Sequence, residues 1–121
     1  MDKLIYGVEV KRLSKSGKQK KYIFFVSDKD NKIIECVEKG TKTIERIDLV
    51  KITQIDFGNK RGNFSNLNSK SILKYRPDLC VSIFVNAQSI DLFFSDIKDL
   101  NQFCYGLSSL WQNEIVEDAN L

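Results

Sequence analysis

Between Lys11 and Lys21 the chain reads KRLSKSGKQKK, six positive charges and no negative one. Cationic groups held close together attract phosphate, so anion binding is the chemistry this segment can do. Little else points to reactivity. The chain has no histidine, which removes the commonest general base and the commonest zinc ligand together. There is no glycine-rich phosphate loop and no Gly-x-Ser-x-Gly elbow. Cys36, Cys80 and Cys104 are odd in number, far apart and without a Cys-x-x-Cys pair. They read as free buried thiols of a reducing compartment. Asp96 and Asp99 read as complements to a helix dipole, not as a catalytic pair. The sequence predicts no enzyme, no metal and no cofactor.

The elements that must position the lysines are short strands. Leu4 to Leu13 alternates loosely around Ile5, Val8 and Val10, and Lys20 to Ser27 is aromatic and β-branched. The basic run is therefore expected on a hairpin loop held by a sheet. Turns by composition follow at Asp28–Asn31 and Glu38–Thr41, around a strand at 32–37. A short strand opens at Lys42 and ends near Leu49, and another covers 51–58. A long polar loop, 59–78, comes next, and loops of that length in compact domains are usually functional or mobile. Strands at 79–85 and 89–94 are joined at Asn86-Ala87-Gln88. Ile97, Leu100, Phe103, Cys104, Leu107, Leu110 and Trp111 then recur at three- and four-residue spacing, one apolar helical face over about 95–113 with Ser95 as N-cap.

The predicted fold is mainly β with one helix. Seven strands over 4–94 form a partly open barrel of two packed antiparallel sheets, and the C-terminal helix caps one end. Residues 1–121 form one domain, expected to be a monomer. The net charge is only +3, but it is unevenly placed: from Asp91 onward there are six acids and one lysine. A polarised domain orients toward an anionic surface. No apolar run approaches the ~20 residues of a membrane span, and no signal-peptide pattern follows Met1. The aromatics of the strands read as core packing, not base stacking, so nucleic acid is not an expected partner.

KQKKYIFFV at the second strand, RIDLVKITQIDFG before the long loop, and RPDLCVSIFVNAQSIDLFFSD leading into DLNQFCYGLSSL resemble a pleckstrin homology (PH) domain, particularly that of phospholipases C. The chain is also similar to the small acylated PH-domain proteins of apicomplexan parasites, which attach to secretory organelles and sense phosphatidic acid. The resemblance implies a noncatalytic module, peripheral on the cytosolic face of a membrane and acting in regulated exocytosis, namely microneme secretion. It places Lys11, Arg12, Lys15, Lys18, Lys20 and Lys21 at the lipid site, with Lys42 joining from the side. Leu13 either inserts between head groups or ends the first strand. Two departures stand out. Phe103 occupies the place of the family's helix tryptophan, with Trp111 two turns later. The family's basic pattern on strand two is reduced to Gln19 and Lys21. Lysine dominance suits phosphatidic acid, because an ammonium reaches a compact phosphomonoester as a point charge. The alternatives are a phosphoinositide binder of the phospholipase C type and a protein-interaction module on the same scaffold. Pattern alone leaves open which face of the second strand is core.

Overall fold

The computed structural model describes residues 7–119, with side chains through Leu110. Leu4, Ile5 and the side chain of Trp111 lie outside what it describes. Seven strands, β1 (Val8–Leu13), β2 (Gln19–Asp28), β3 (Ile33–Glu38), β4 (Ile44–Asp48), β5 (Ile52–Phe57), β6 (Cys80–Val85) and β7 (Gln88–Phe93), are followed by one helix, α1 (Ile97–Ala119). The scaffold expected from the sequence is present. Its hydrogen bonding runs through one sheet rather than two, in the order β4-β3-β2-β1-β7-β6-β5 with every neighbour antiparallel. The join between the halves is short: β1 meets β7 only at Lys11↔Phe93, Arg12↔Leu92 and Leu13↔Asp91. The sheet curls around a core without closing, and β4 and β5 remain its edges.

On β2 the face carrying Tyr22, Phe24 and Val26 is the inner one. Phe24 is fully buried, whereas Ile23 on the other face is 39% exposed. Phe103 of α1 meets Phe24 edge-on, with centroids 5.5 Å apart, and leans on Phe94 at the same separation. Fully buried, Phe103 serves as the aromatic that seats the helix on the barrel. Such pairs contribute about 0.5–1.5 kcal/mol beyond their burial. The helix cap falls one residue later than expected. Asp96, not Ser95, receives the amides of Lys98 and Asp99 on its Oδ1, at 2.7 and 3.2 Å. A carboxylate at that end also complements the dipole, which a serine hydroxyl does less well. Lys32, expected to open β3, instead sits in the preceding turn at φ 57, and its Nζ donates to the Leu110 carbonyl at 3.0 Å.

The long polar loop is folded onto the barrel. It contains 3-10 turns at Gly62–Asn66, Ser71–Lys74 and Pro77–Leu79. A second core of Leu13, Phe64, Tyr75 and Cys80 holds it against the end of β1, with Tyr75 edge-on to both Phe64 and Phe93. A buried carboxylate latches it further. Asp91 accepts hydrogen bonds from Ser82 Oγ at 2.6 Å, Ser89 Oγ at 2.8 Å and the Asn63 amide at 3.0 Å. Gly62 has φ +57, and a Cβ there would collide with that carboxylate and with Ser89. Gly62→Ala is therefore expected to cost roughly 2 kcal/mol or more, from left-handed strain plus a displaced carboxylate. Gly40→Ala, with comparable φ but open space around it, should cost only about 1 kcal/mol. Urea unfolding midpoints of the two variants check the difference.

Candidate functional site

β1 and β2 form a hairpin whose connection, Ser14 to Lys18, is tightly bonded. The Ser14 amide donates to the Lys18 carbonyl at 2.8 Å and the Gly17 amide to the Ser14 carbonyl at 3.0 Å. The Ser14 hydroxyl also accepts from the Lys18 amide at 3.2 Å. Of the basic run, only Lys15 and Lys18 are on the sheet-held loop that its flanks suggested; Lys11, Arg12, Lys20 and Lys21 are on the two strands. Strand alternation then divides the cations. Lys11 and Lys21 are cross-strand partners on the outer face, and Arg12 and Lys20 are partners on the inner face at the barrel mouth. Lys15 and Lys18 project from the tip and are exposed.

The inner pair is already engaged. Arg12 is ion-paired to Glu45 of β4 and lies over the Tyr22 ring, 5.3 Å from its centroid. Burial opposes its charge, but the hydrogen bond and charge of Glu45 outweigh that, and the guanidinium pKa is raised. Glu45 is steadied in turn by Gln88 Nε2 at 3.2 Å. The Lys20 ammonium sits 3.1 Å from Glu38 of β3, whose hydrogen bond and charge raise the lysine's pKa. Lys11, Lys15, Lys18 and Lys21 form no ion pair among the described residues.

Three clefts border the hairpin. The mouth cleft, roughly 450 Å³, is lined by Arg12, Lys15, Lys20, Tyr22, Glu45, Asn63 and the Ala87–Ser89 turn. A second, roughly 500 Å³, lies on the outer face, where Lys11 and Lys21 look toward Glu9, Ser95, Asp99 and Gln102. A third, roughly 290 Å³, separates Lys15, Ser16 and Gly17 from the long loop at Asn66–Asn68, Ser71 and Lys74. Lysines on opposite faces cannot line one wall. The mouth collects Arg12, Lys15 and Lys20, while Lys11 and Lys21 belong to the outer cleft. Lys42 is exposed on the β3–β4 turn and lines none of the three. Lys39, beside it, is ion-paired with Glu9 at 3.2 Å.

The expectation for Leu13 as a membrane contact is overturned. Only 1% of its surface is exposed, and it is the centre of the small second core. It ends β1 on the outer face, the same face as Lys11, and is buried there because the long loop covers that position. Arg12 needs a related correction: its positive charge is held by Glu45 and is not available in the way the tip lysines are. Both glutamates were unmarked in the sequence, since the β2–β3 register places Glu38, and the β3–β4 register places Glu45, beside the hairpin. The position of Arg12 was readable, because it stands two residues after Val10 on an alternating strand. The thiols are buried to differing degrees. Burial pushes Cys36 and Cys80 up to about 12 and Cys104 to about 11, which keeps them protonated at neutral pH.

A curled seven-strand antiparallel sheet with one capping helix and a basic first hairpin is a PH-like fold. Two solved structures from Toxoplasma gondii share it. Inner Membrane Complex Sub-compartment Protein 1 superposes with a TM-score of 0.63 at 18% identity, over 89% of this chain and 84% of its own. Inner Membrane Complex Sub-compartment Protein 3 does so with a TM-score of 0.63 at 16% identity, over 91% and 77%. At such identities the likeness carries the fold. No known family profile matches the sequence, and no curated protein does.

Leu13→Ala is expected to read as a stability defect of about 2–5 kcal/mol, the usual cost of emptying a leucine site in a core. Chemical denaturation measures this. A variant of unchanged stability that bound membranes less would return Leu13 to the surface role.

Proposed function

We propose that this domain is a noncatalytic module that docks on the cytosolic face of a membrane and binds acidic phospholipid through the β1–β2 hairpin, with phosphatidic acid favoured. The observation that carries the reading is the arrangement of the hairpin cations. Lys15 and Lys18 stand at a rigid tip and Lys11 and Lys21 on its flank, without ion pairs among the described residues. Arg12, largely buried, and Lys20, exposed at the mouth, are each ion-paired with a glutamate. A bisphosphorylated inositol ring would need the mouth cations and would meet Glu45 and Glu38 beside them. A phosphomonoester at the bilayer surface needs only the tip. Each basic residue near an anionic membrane contributes about 1 kcal/mol, so the hairpin alone supports weak, salt-sensitive attachment. The two fold neighbours are named for a membrane compartment, which agrees with a peripheral location. No helix among the described residues is long and apolar enough to cross a membrane. A role in regulated exocytosis rests on the resemblance read from the sequence.

Sedimentation with vesicles of equal surface charge tests the proposal, comparing phosphatidic acid, phosphatidylserine and a bisphosphorylated phosphoinositide at near-physiological salt. Phosphatidic acid is expected to bind best. Lys15→Glu/Lys18→Glu should weaken binding about tenfold or more, and Glu38→Gln, which releases Lys20, should strengthen it by about fivefold. Binding that followed charge alone would reduce the site to a nonspecific patch. Unchanged binding by the double variant would remove the hairpin from the contact.

A further inference from the structure

Two stretches of this chain contain no acid. From Val10 to Ser27 the charged residues are the six cations of the hairpin, and from Phe57 to Pro77 they are Lys60, Arg61, Lys70, Lys74 and Arg76. The fold brings these stretches together. Asn63 Nδ2 donates to the Leu13 carbonyl at 3.1 Å, and Gln19 Nε2 to the Tyr75 hydroxyl at 2.9 Å. Lys15 and Lys74 line the same cleft. Arg61 lies near Asp56 and Arg76 pairs with Asp78, but Lys70 and Lys74 form no ion pair among the described residues.

Between those two lysines stands Leu73, 81% exposed, more than any other large hydrophobic residue described. Its exposure is built in. The Asn68 carboxamide oxygen accepts from the Lys70 and Ser71 amides at 3.1 and 2.7 Å, and the Tyr75 amide closes the turn on the Ile72 carbonyl at 3.0 Å. Ile72 packs against the second core while Leu73 projects from the same turn. An ordered leucine flanked by lysines, beside a lysine-tipped hairpin, matches an interface in which phosphates lie above hydrocarbon.

We infer that the turn Ser71–Lys74 is a second membrane-contact element. Leu73 enters the headgroup–acyl boundary, and Lys70 and Lys74 meet lipid phosphates alongside Lys15 and Lys18. The inference rests on the membrane reading and adds the apolar contact that the hairpin lacks, since Leu13 is buried. A lysine-only contact is lost steeply with salt, whereas a buried leucine holds at high ionic strength.

The test uses vesicles of phosphatidic acid in phosphatidylcholine. Leu73→Ala should lose about fivefold in partitioning, consistent with one leucine partly transferred from water, while its dependence on salt stays that of the wild type. Lys70→Glu/Lys74→Glu should flatten the salt dependence. Leu73→Trp should show a blue shift and quenching by brominated lipid beyond that of the wild type, which carries Trp111 alone. If the wild type binds, Lys15→Glu/Lys18→Glu abolishes binding, and neither Leu73 variant differs from wild type, the turn is not inserted and the inference fails while the membrane reading stands. If the wild type binds none of these vesicles at any salt, both fail. Leu73 is exposed, so its variants should fold normally, and circular dichroism verifies that.

Discussion

The small core of Leu13, Phe64, Tyr75 and Cys80 is the constraint on which the basic end of this protein depends. The main core, under α1, would make a PH-like barrel without it. What the second core adds is position. It fastens a long polar loop to the last residue of β1, next to the hairpin, and the Asp91 latch prevents that loop from sliding along β7. Fixing so long a segment in one conformation costs backbone entropy. Here three short 3-10 turns and a few buried side chains offset that cost. Two segments some fifty residues apart, as Leu13 and Asn63 are, consequently present their cations together.

A second division comes from charge. Strand alternation sends Arg12 and Lys20 inward, where Glu45 and Glu38 stand, and leaves the tip and outer flank to lysines. A half-buried guanidinium with a carboxylate partner and an aromatic face beneath it is well satisfied where it is. A competing anion must displace that partner or join it as a like charge. The barrel mouth is thereby tuned down, and anion attraction shifts outward to exposed lysines that can meet a flat surface.

Much of this was legible in the sequence. The seven strands, the basic hairpin, the helix periodicity and the role of Phe103 as a core aromatic follow from local patterns of period two or near four. Four things were not legible. The polar loop showed no periodicity, and Phe64 and Tyr75 signalled a core only once they met Leu13 through tertiary folding. The partners of Arg12 and Lys20 depended on the registers of β2 with β3 and of β3 with β4. Leu13 and Leu73 both look like leucines in basic surroundings, yet one is 1% and the other 81% exposed; only the covering loop tells them apart. The N-cap at Asp96 in place of Ser95 was a contest between adjacent good caps, which composition does not decide.

On the proposed membrane reading, hairpin and long loop form one contact surface. Amide hydrogen exchange, with and without vesicles containing phosphatidic acid, tests it most directly. Amides of the hairpin tip at 14–18 and of the loop turn at 69–75 are expected to slow together on membrane binding, with β4 and α1 unchanged. Protection confined to one of the two segments, or appearing on α1 or the β4 edge instead, would contradict it.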